Sequence, residues 1–211
     1  VAELGDNAYE SGTAKEFADC FGPTWGAFNT RAHPVPGNHE YNSKGAAPYY
    51  AYFGAKAGTA GQGWYSYELG AWHVIALNSS CDQTGGCSAN DPEAQWLRQD
   101  LAAHPATCTL AYFHYPRFSS GPHGSTASMQ TFWELLADAH ADVVLSGHDH
   151  DYERFAPKNR DGNDDPNGVR QFVVGTGGRE LYPILLRRAG SEISNSDTFG
   201  VLDLTLRPTS Y

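Results

Sequence analysis

The sequence predicts an α/β domain of two packed mixed sheets with helices on their outer faces. Three observations lead there. Apolar runs ending in glycine-containing turns recur along the chain, a hairpin pattern lies at 64–80, and two helical patterns alternate with strand patterns after it. Strands interleaved with helices build sheets with parallel neighbours, and hairpins add antiparallel pairs.

Each element has its own local reason. WYSYELG (64–70) alternates aromatic or apolar with polar residues, and WHVIALNSS (72–80) follows after a Gly-Ala step, as an antiparallel hairpin should. DPEAQWLRQDLAAH (91–104) opens with Asp91 as N-cap and Pro92 at the first helical position. Ala94, Leu97 and Leu101 mark its buried face, and Pro105 closes it. TLAYFH (109–114) reads as a strand that ends on a histidine. MQTFWELLADAH (129–140) is helical, and ADVVLSGH (141–148) is an apolar strand ending in a turn. QFVVGTGG (171–178) is a further buried strand, and VLDLTL (201–206) alternates as an outer strand does. DGNDDPNG (161–168) superficially resembles a calcium loop, but Pro166 stands where glycine is needed, so it reads as a solvated connection.

With 211 residues, 40% hydrophobic and 18% charged, the chain fits one well-buried domain over 1–211. A net charge of −10 argues against a nucleic-acid platform, which needs a basic face. It leaves an anionic substrate open, because bound cations invert the local field. No apolar run approaches membrane-spanning length, and no signal peptide is visible. Four cysteines allow three connectivities. Cys81 and Cys87 bracket a Gly-rich loop that closes easily, which leaves Cys20–Cys108 as the preferred second pair. The even cysteine set and the sparing use of Lys and Arg suggest an exported protein, secreted or periplasmic.

Chemistry concentrates in four short strings: GDNAY (5–9), GNHE (37–40), YFHYP (112–116) and GHDH (147–150). They contribute Asp6, Tyr9, Asn38, His114, His148 and His150, a mixture of hard oxygen donors and imidazoles without cysteine. That mixture suits iron, manganese or zinc better than calcium or a structural zinc. A strand end fixes a side chain, and an adjacent glycine lets the backbone approach an ion. Two such ions held close together are a common device for activating water against a phosphate ester. Asp6 is the natural bridging ligand, since one carboxylate can serve two cations. A phenolate from Tyr9 requires a strongly acidic ion such as Fe(III), given a phenol pKa near 10.

In order and spacing, the four strings resemble the calcineurin-like metallophosphoesterases. The Tyr three residues after the Asp in GDNAY is similar to the GDxxY of the purple acid phosphatase branch, of secreted bacterial type. The resemblance spans residues 5 to about 180 and implies a four-layer αββα sandwich. It implies a hydrolase with two metals, Fe(III) held by Tyr9 and His150, and zinc, manganese or Fe(II) held by Asn38, His114 and His148. The implied reaction is hydrolysis of small phosphomonoesters, with phosphodiester or nucleotide hydrolysis and a non-catalytic, metal-poor phosphate-binding relic as alternatives. His39, next to a ligand, is suited to protonating the leaving alkoxide. The resemblance gives His123, in the glycine-flanked SSGPHG, a substrate contact, and the loop itself suits an exposed surface histidine equally. Glu40, Glu153 and Arg154 are candidates for orienting these histidines. His33, His73, His104 and His140 lie outside the strings and read as packing or surface groups.

The chain also departs from that pattern. The family places a strand, a helix and an Asp ligand upstream of GDxxY, whereas here only VAEL precedes GDNAY. The expectation is therefore a sandwich lacking its first strand and a partner for its last, with two alternatives open: the missing pieces lie elsewhere, an N-terminal segment as a separate piece among them, or the site is itself incomplete.

Overall fold

The computed structural model describes all of residues 1–211. Its larger sheet has seven strands in the order β3-β4-β5-β6-β8-β7-β9. The antiparallel hairpin of β3 (Tyr65–Leu69) and β4 (Trp72–Ala76) forms one edge. Strands β5 (Cys108–Tyr112), β6 (Val143–Ser146) and β8 (Arg170–Val174) continue parallel to β4. The other edge is antiparallel, with β7 (Tyr152–Phe155) against β8 and β9 (Ser191–Asn195) against β7. The parallel centre is buried on both faces, as its continuous apolar runs require.

Helices α4 (Pro92–Ala103) and α5 (Gln130–Asp138) cover one face of this sheet. Their buried residues recur at helical spacing, Ala94 and Leu97 on α4, and Phe132, Trp133 and Leu136 on α5. They pack on Ile75, Leu77, Ala111, Phe113 and Val144. Burial of each such leucine or phenylalanine contributes about 1.5–3 kcal/mol.

The opposite face carries a two-stranded parallel sheet of β1 (Ala2–Leu4) and β2 (His33–Val35). Beyond it lie helix α1 (Ala14–Glu16), the helical turn Phe17–Phe21 and helix α2 (Ala47–Phe53), and the last two build an aromatic cluster of Phe17, Phe21, Tyr49, Tyr50 and Phe53. The four layers are helix, sheet, sheet, helix. The second sheet is a parallel pair rather than the mixed sheet expected.

Two other expectations fail. Residues 201–206 alternate in exposure, yet they form no ladder. Leu202, Leu204 and Leu206 lie on the sheet face shared by Val74, Leu110 and Leu145, so the alternation records a buried face without a hydrogen-bonding neighbour. A cavity of about 1120 Å³ lies between this segment, β1 and the sheet and opens onto Asp6 and His148. The cysteines also pair differently. Cys81, in the short helix α3 (Cys81–Thr84), and Cys87 form the local disulfide, but Cys20 is exposed and free while Cys108 is buried and free. Cys108 begins β5 inside the sheet, with its sulfur against the Pro208 carbonyl at 3.7 Å, and Cys20 belongs to the helical turn Phe17–Phe21.

Candidate metal centre

Four strands deliver the six candidate ligands to one edge of the sandwich. Asp6 follows β1, Asn38 follows β2, His114 follows β5, and His148 and His150 follow β6. The turns are tight because the backbones nearly touch. A Cβ on Gly5 would lie 2.6 Å from His114 Nδ1, and one on Gly37 would lie 2.2 Å from Asp6 Oδ1. Asp6 (φ 52°) and His148 (φ 70°) themselves adopt left-handed backbone, which aims both side chains inward.

Asp6 Oδ2 stands between two groups of donors. On one side it is 3.2 Å from His114 Nε2, which also lies 3.0 Å from Asn38 Oδ1 and 3.2 Å from His148 Nδ1. On the other side it is 3.3 Å from the Tyr9 hydroxyl, which lies 3.2 Å from His150 Nε2. Backbone carbonyls fix two of the imidazoles. His114 Nδ1–H donates to Leu4 O at 2.8 Å and His150 Nδ1–H to Glu180 O at 2.8 Å, so each Nε2 is turned to the cluster as an acceptor.

Electrostatics agree with a cation-binding role. Burial lowers the affinity of His148 for a proton, and His114 and His123 lower it further, to a pKa of about 3. Burial likewise lowers that of His150. Both therefore sit as neutral imidazoles, the form that binds metals. Burial opposes ionisation of Asp6, but the neighbouring His114 outweighs it and holds the carboxyl well below its usual range. His114 is the reciprocal case, with burial opposing its charge and Asp6 raising its proton affinity. Burial, then the Asp6 charge, pushes the Tyr9 phenol well above its ordinary value, so nothing in the chain itself ionises it.

Asp6, His114 and His148 present ligand atoms within 4.8 Å of one another. Facing acceptors at about 3 Å repel unless a proton or a metal ion lies between them. The donor set therefore fits cations, one beside Asn38, His114 and His148 and one beside Tyr9 and His150, with Asp6 between.

The two flanking histidines also arrive at the centre. His39 donates its backbone N–H to Asp6 Oδ1 at 2.9 Å, and its ring lies 4.5 Å from that of Tyr9, with Nδ1 2.6 Å from Glu10 O. His123 is exposed, its ring 4.4 Å from that of His148. Its loop is firmly held. Asp149 accepts from the His123 amide at 3.0 Å and from the Ser119 hydroxyl, and Glu153 accepts from the Ser120 amide at 2.8 Å.

The geometry finds its counterpart in known proteins. The profile of the calcineurin-like phosphoesterase family matches residues 4–152, more than half of the sequence and all four strings. The chain belongs to the calcineurin-like phosphoesterase family. Among curated relatives, purple acid phosphatase 22 of Arabidopsis thaliana is 27% identical over 208 residues, covering 84% of this chain and 46% of its own length. Purple acid phosphatase 15 of the same plant is 31% identical over 68% of this chain and 29% of its own. An uncharacterized Mycobacterium tuberculosis protein, Rv2577, is 30% identical over 59% of this chain and 28% of its own. Purple acid phosphatase PPD1 from yellow lupin seeds superposes with a TM-score of 0.72 at 18% identity, over 93% of this chain and 40% of that one. This chain spans less than half the length of the plant relatives it matches.

Family motifs do not reach every residue around the centre. Tyr182 stacks on His150, with centroids 4.1 Å apart and planes 10° apart, and Arg179 covers the Tyr9 ring at 5.1 Å while pairing with Glu10 at 2.5 Å. Both follow the Gly175–Gly178 turn after β8, and the strand-then-glycine signal that marked the other strings was present there too. Of the three orienting candidates, Arg154 pairs instead with Glu192 on β9, and Glu153 serves the His123 loop. Glu40, completely buried, binds backbone rather than the His39 ring. Its carboxylate accepts the amides of Gly37, Asp6, Asn7 and Ala8 at 2.7–3.2 Å.

Proposed function

We propose that this chain forms the dinuclear centre of a phosphatase that hydrolyses small phosphomonoesters. The observation that carries the reading is the position of Asp6 Oδ2, between the His114 group and the Tyr9–His150 pair. Two bound ions, Fe(III) on the Tyr9 side and zinc, manganese or Fe(II) on the other, would supply Lewis acidity and an activated water there.

The chain's own residues do the rest. Asp6 keeps the two donor groups in register, and Asn38 and the histidines would hold the ions, His114 and His150 through Nε2 atoms already aimed by their Nδ1 bonds to Leu4 O and Glu180 O. His39 lies beside Asp6 and Tyr9 without belonging to the ligand set, so it is placed to give a proton to the departing alkoxide. His123, anchored through Asp149 and standing against His148, faces solvent where a phosphate oxygen would enter, and it orients the ester. The Arg179 guanidinium and Tyr182 close the Tyr9 and His150 rings from water on the other side.

An exported location accords with the Cys81–Cys87 disulfide, since such bonds persist in oxidising compartments. No helix is long and apolar enough to cross a membrane.

The test compares an aryl phosphate, its bis-aryl diester and cyclic nucleotides on protein of measured metal content. Faster turnover of the monoester with close to two metals per chain is expected. Preference for the diester or cyclic nucleotides would replace the monoester reading, and less than about one metal per chain without turnover would leave a non-catalytic relic.

A further inference from the structure

A second group of metal-ligand atoms lies at the opposite end of the large sheet. His73 sits near the start of β4, paired with Thr109 at the start of β5, whereas His114 follows the far end of β5. Helix α4 brings Asp100 and His104, one turn apart, against it.

His73 is almost wholly buried, 1% exposed, and both its ring nitrogens meet carboxylates. Nδ1 is 2.7 Å from Glu68 Oε1 and Nε2 is 2.7 Å from Asp100 Oδ2. The other Asp100 oxygen accepts the Ser66 hydroxyl at 2.7 Å and lies 3.3 Å from His104 Nδ1, which is also 3.0 Å from the Asp100 carbonyl. The two imidazoles are stacked, with centroids 4.9 Å apart and planes 15° apart.

We propose that His73 Nε2, an Asp100 carboxylate oxygen and a His104 ring nitrogen bind one zinc ion, separate from the phosphoesterase centre. The chemistry of His73 is the main support. A metal-bound histidine ordinarily gives its other N–H to a carboxylate, and Glu68 occupies that place. Nε2 and Asp100 then face each other as two acceptors, so a proton or a metal ion must lie between them. The three ligand atoms lie within 4.8 Å of one another. Ligands about 2.1 Å from a tetrahedral zinc stand roughly 3.4 Å apart and a ring nitrogen binds in its ring plane, so the exposed His104 ring turns out of its stack on His73 and off the Asp100 carbonyl to complete the set. His104 has a side chain 48% exposed, which leaves the fourth position to water and gives the ion a path in. Two imidazoles and one carboxylate favour zinc over calcium or magnesium. An ion there ties α4 to the β3–β4 hairpin, far from the reacting phosphate, so it stabilises the fold without taking part in hydrolysis.

The experiment counts zinc in the wild type, His104→Ala, Asp6→Asn and the Asp6→Asn/His104→Ala double variant, with anomalous diffraction at the zinc edge. His104 is at the helix end and partly exposed, so its loss leaves the core intact. The expected result is one zinc fewer in each His104→Ala chain than in its parent. An anomalous peak about 2.0–2.2 Å from His73 Nε2 and Asp100 should accompany it. Zinc should raise the melting temperature of Asp6→Asn but not of the double variant, and aryl phosphate turnover of fully loaded His104→Ala should equal that of wild type. Equal zinc counts with and without His104, and no peak at His73, would overturn the site and leave a proton bridging His73 and Asp100.

Discussion

Glu40 holds Asp6 in place through its backbone. Oε2 of the buried carboxylate accepts the Asp6 amide at 2.9 Å and the Gly37 amide at 2.7 Å, and Oε1 accepts those of Asn7 and Ala8. One side chain from the GNHE turn thereby fixes the GDNAY turn, and the two strand ends that carry Asp6 and Asn38 become one rigid piece. The arrangement has a cost. Burial and the Asp6 charge raise the Glu40 pKa to about 7, while the amides pull it back. The carboxylate is retained because four backbone donors would otherwise be left without a partner.

Glu40→Gln tests that role. The amide oxygen can replace one carboxylate oxygen, but the NH2 group then faces N–H donors. The expected cost is about 2–4 kcal/mol in denaturant unfolding, together with weaker metal retention on dialysis. Unchanged stability and metal content would show that the two turns hold their shape without it.

Tyr9 gives the proposed Fe(III) its test. Its phenol is pushed up by burial and by Asp6, so ionisation requires a strongly acidic ion at the adjacent position. With Fe(III) bound, the concentrated protein should absorb visible light through a phenolate-to-iron transition, and Tyr9→Phe should abolish the band while leaving the second ion. A colourless, iron-free and fully active protein would assign the centre to zinc or manganese instead.

Much of the centre was legible in the sequence because each ligand string is local. A glycine beside an Asp, Asn or His after an apolar run reports a strand end and a tight turn together, and all six candidate ligands, which the fold brings together, came from such strings. Glu40 was also in plain view, but its bonds run to amides about thirty residues away, and a sequence shows no amide direction. Arg179 and Tyr182 come from a loop whose approach depends on where β8 lies in the sheet. Strand β9, with the polar sequence SEISN, is held by its ladder to β7 rather than by an apolar pattern. Residues 201–206 erred the other way, since alternation reports a buried face and says nothing about a neighbour. Cys20 and Cys108 were paired by elimination, which has no distance in it.

His39 has a kinetic signature. His39→Ala should keep the metals and lower turnover by about 10²–10⁴-fold, the range for losing a general acid. The loss should be smaller for an aryl phosphate with an acidic leaving group than for an alkyl phosphate, which needs the proton more. Equal losses on both would make His39 a positioning residue, acting through its ring against Tyr9 and its Nδ1 contact with Glu10 O.

Glu93 gives the fold a pH dependence of its own, away from the metals. It lies in the first turn of α4, 0% exposed, with Oε1 accepting the Asn78 amide at 2.6 Å and Oε2 without a partner. Burial raises its pKa well above the ordinary 4.5, and the single amide bond only partly offsets that. A carboxyl with a raised folded pKa binds more protons in the folded chain than in the unfolded one. Its contribution to stability is therefore lost as pH rises from 4.5 through the folded value and regained on acidification. Glu93→Gln keeps an acceptor for Asn78 and removes the charge. Its melting temperature should exceed that of wild type at pH 8, and the gap should close as the pH is lowered towards 4.5. The other buried acids are common to both proteins and cancel in the comparison. A gap of the same size at every pH would mean that packing of the amide, not the buried charge, separates the two.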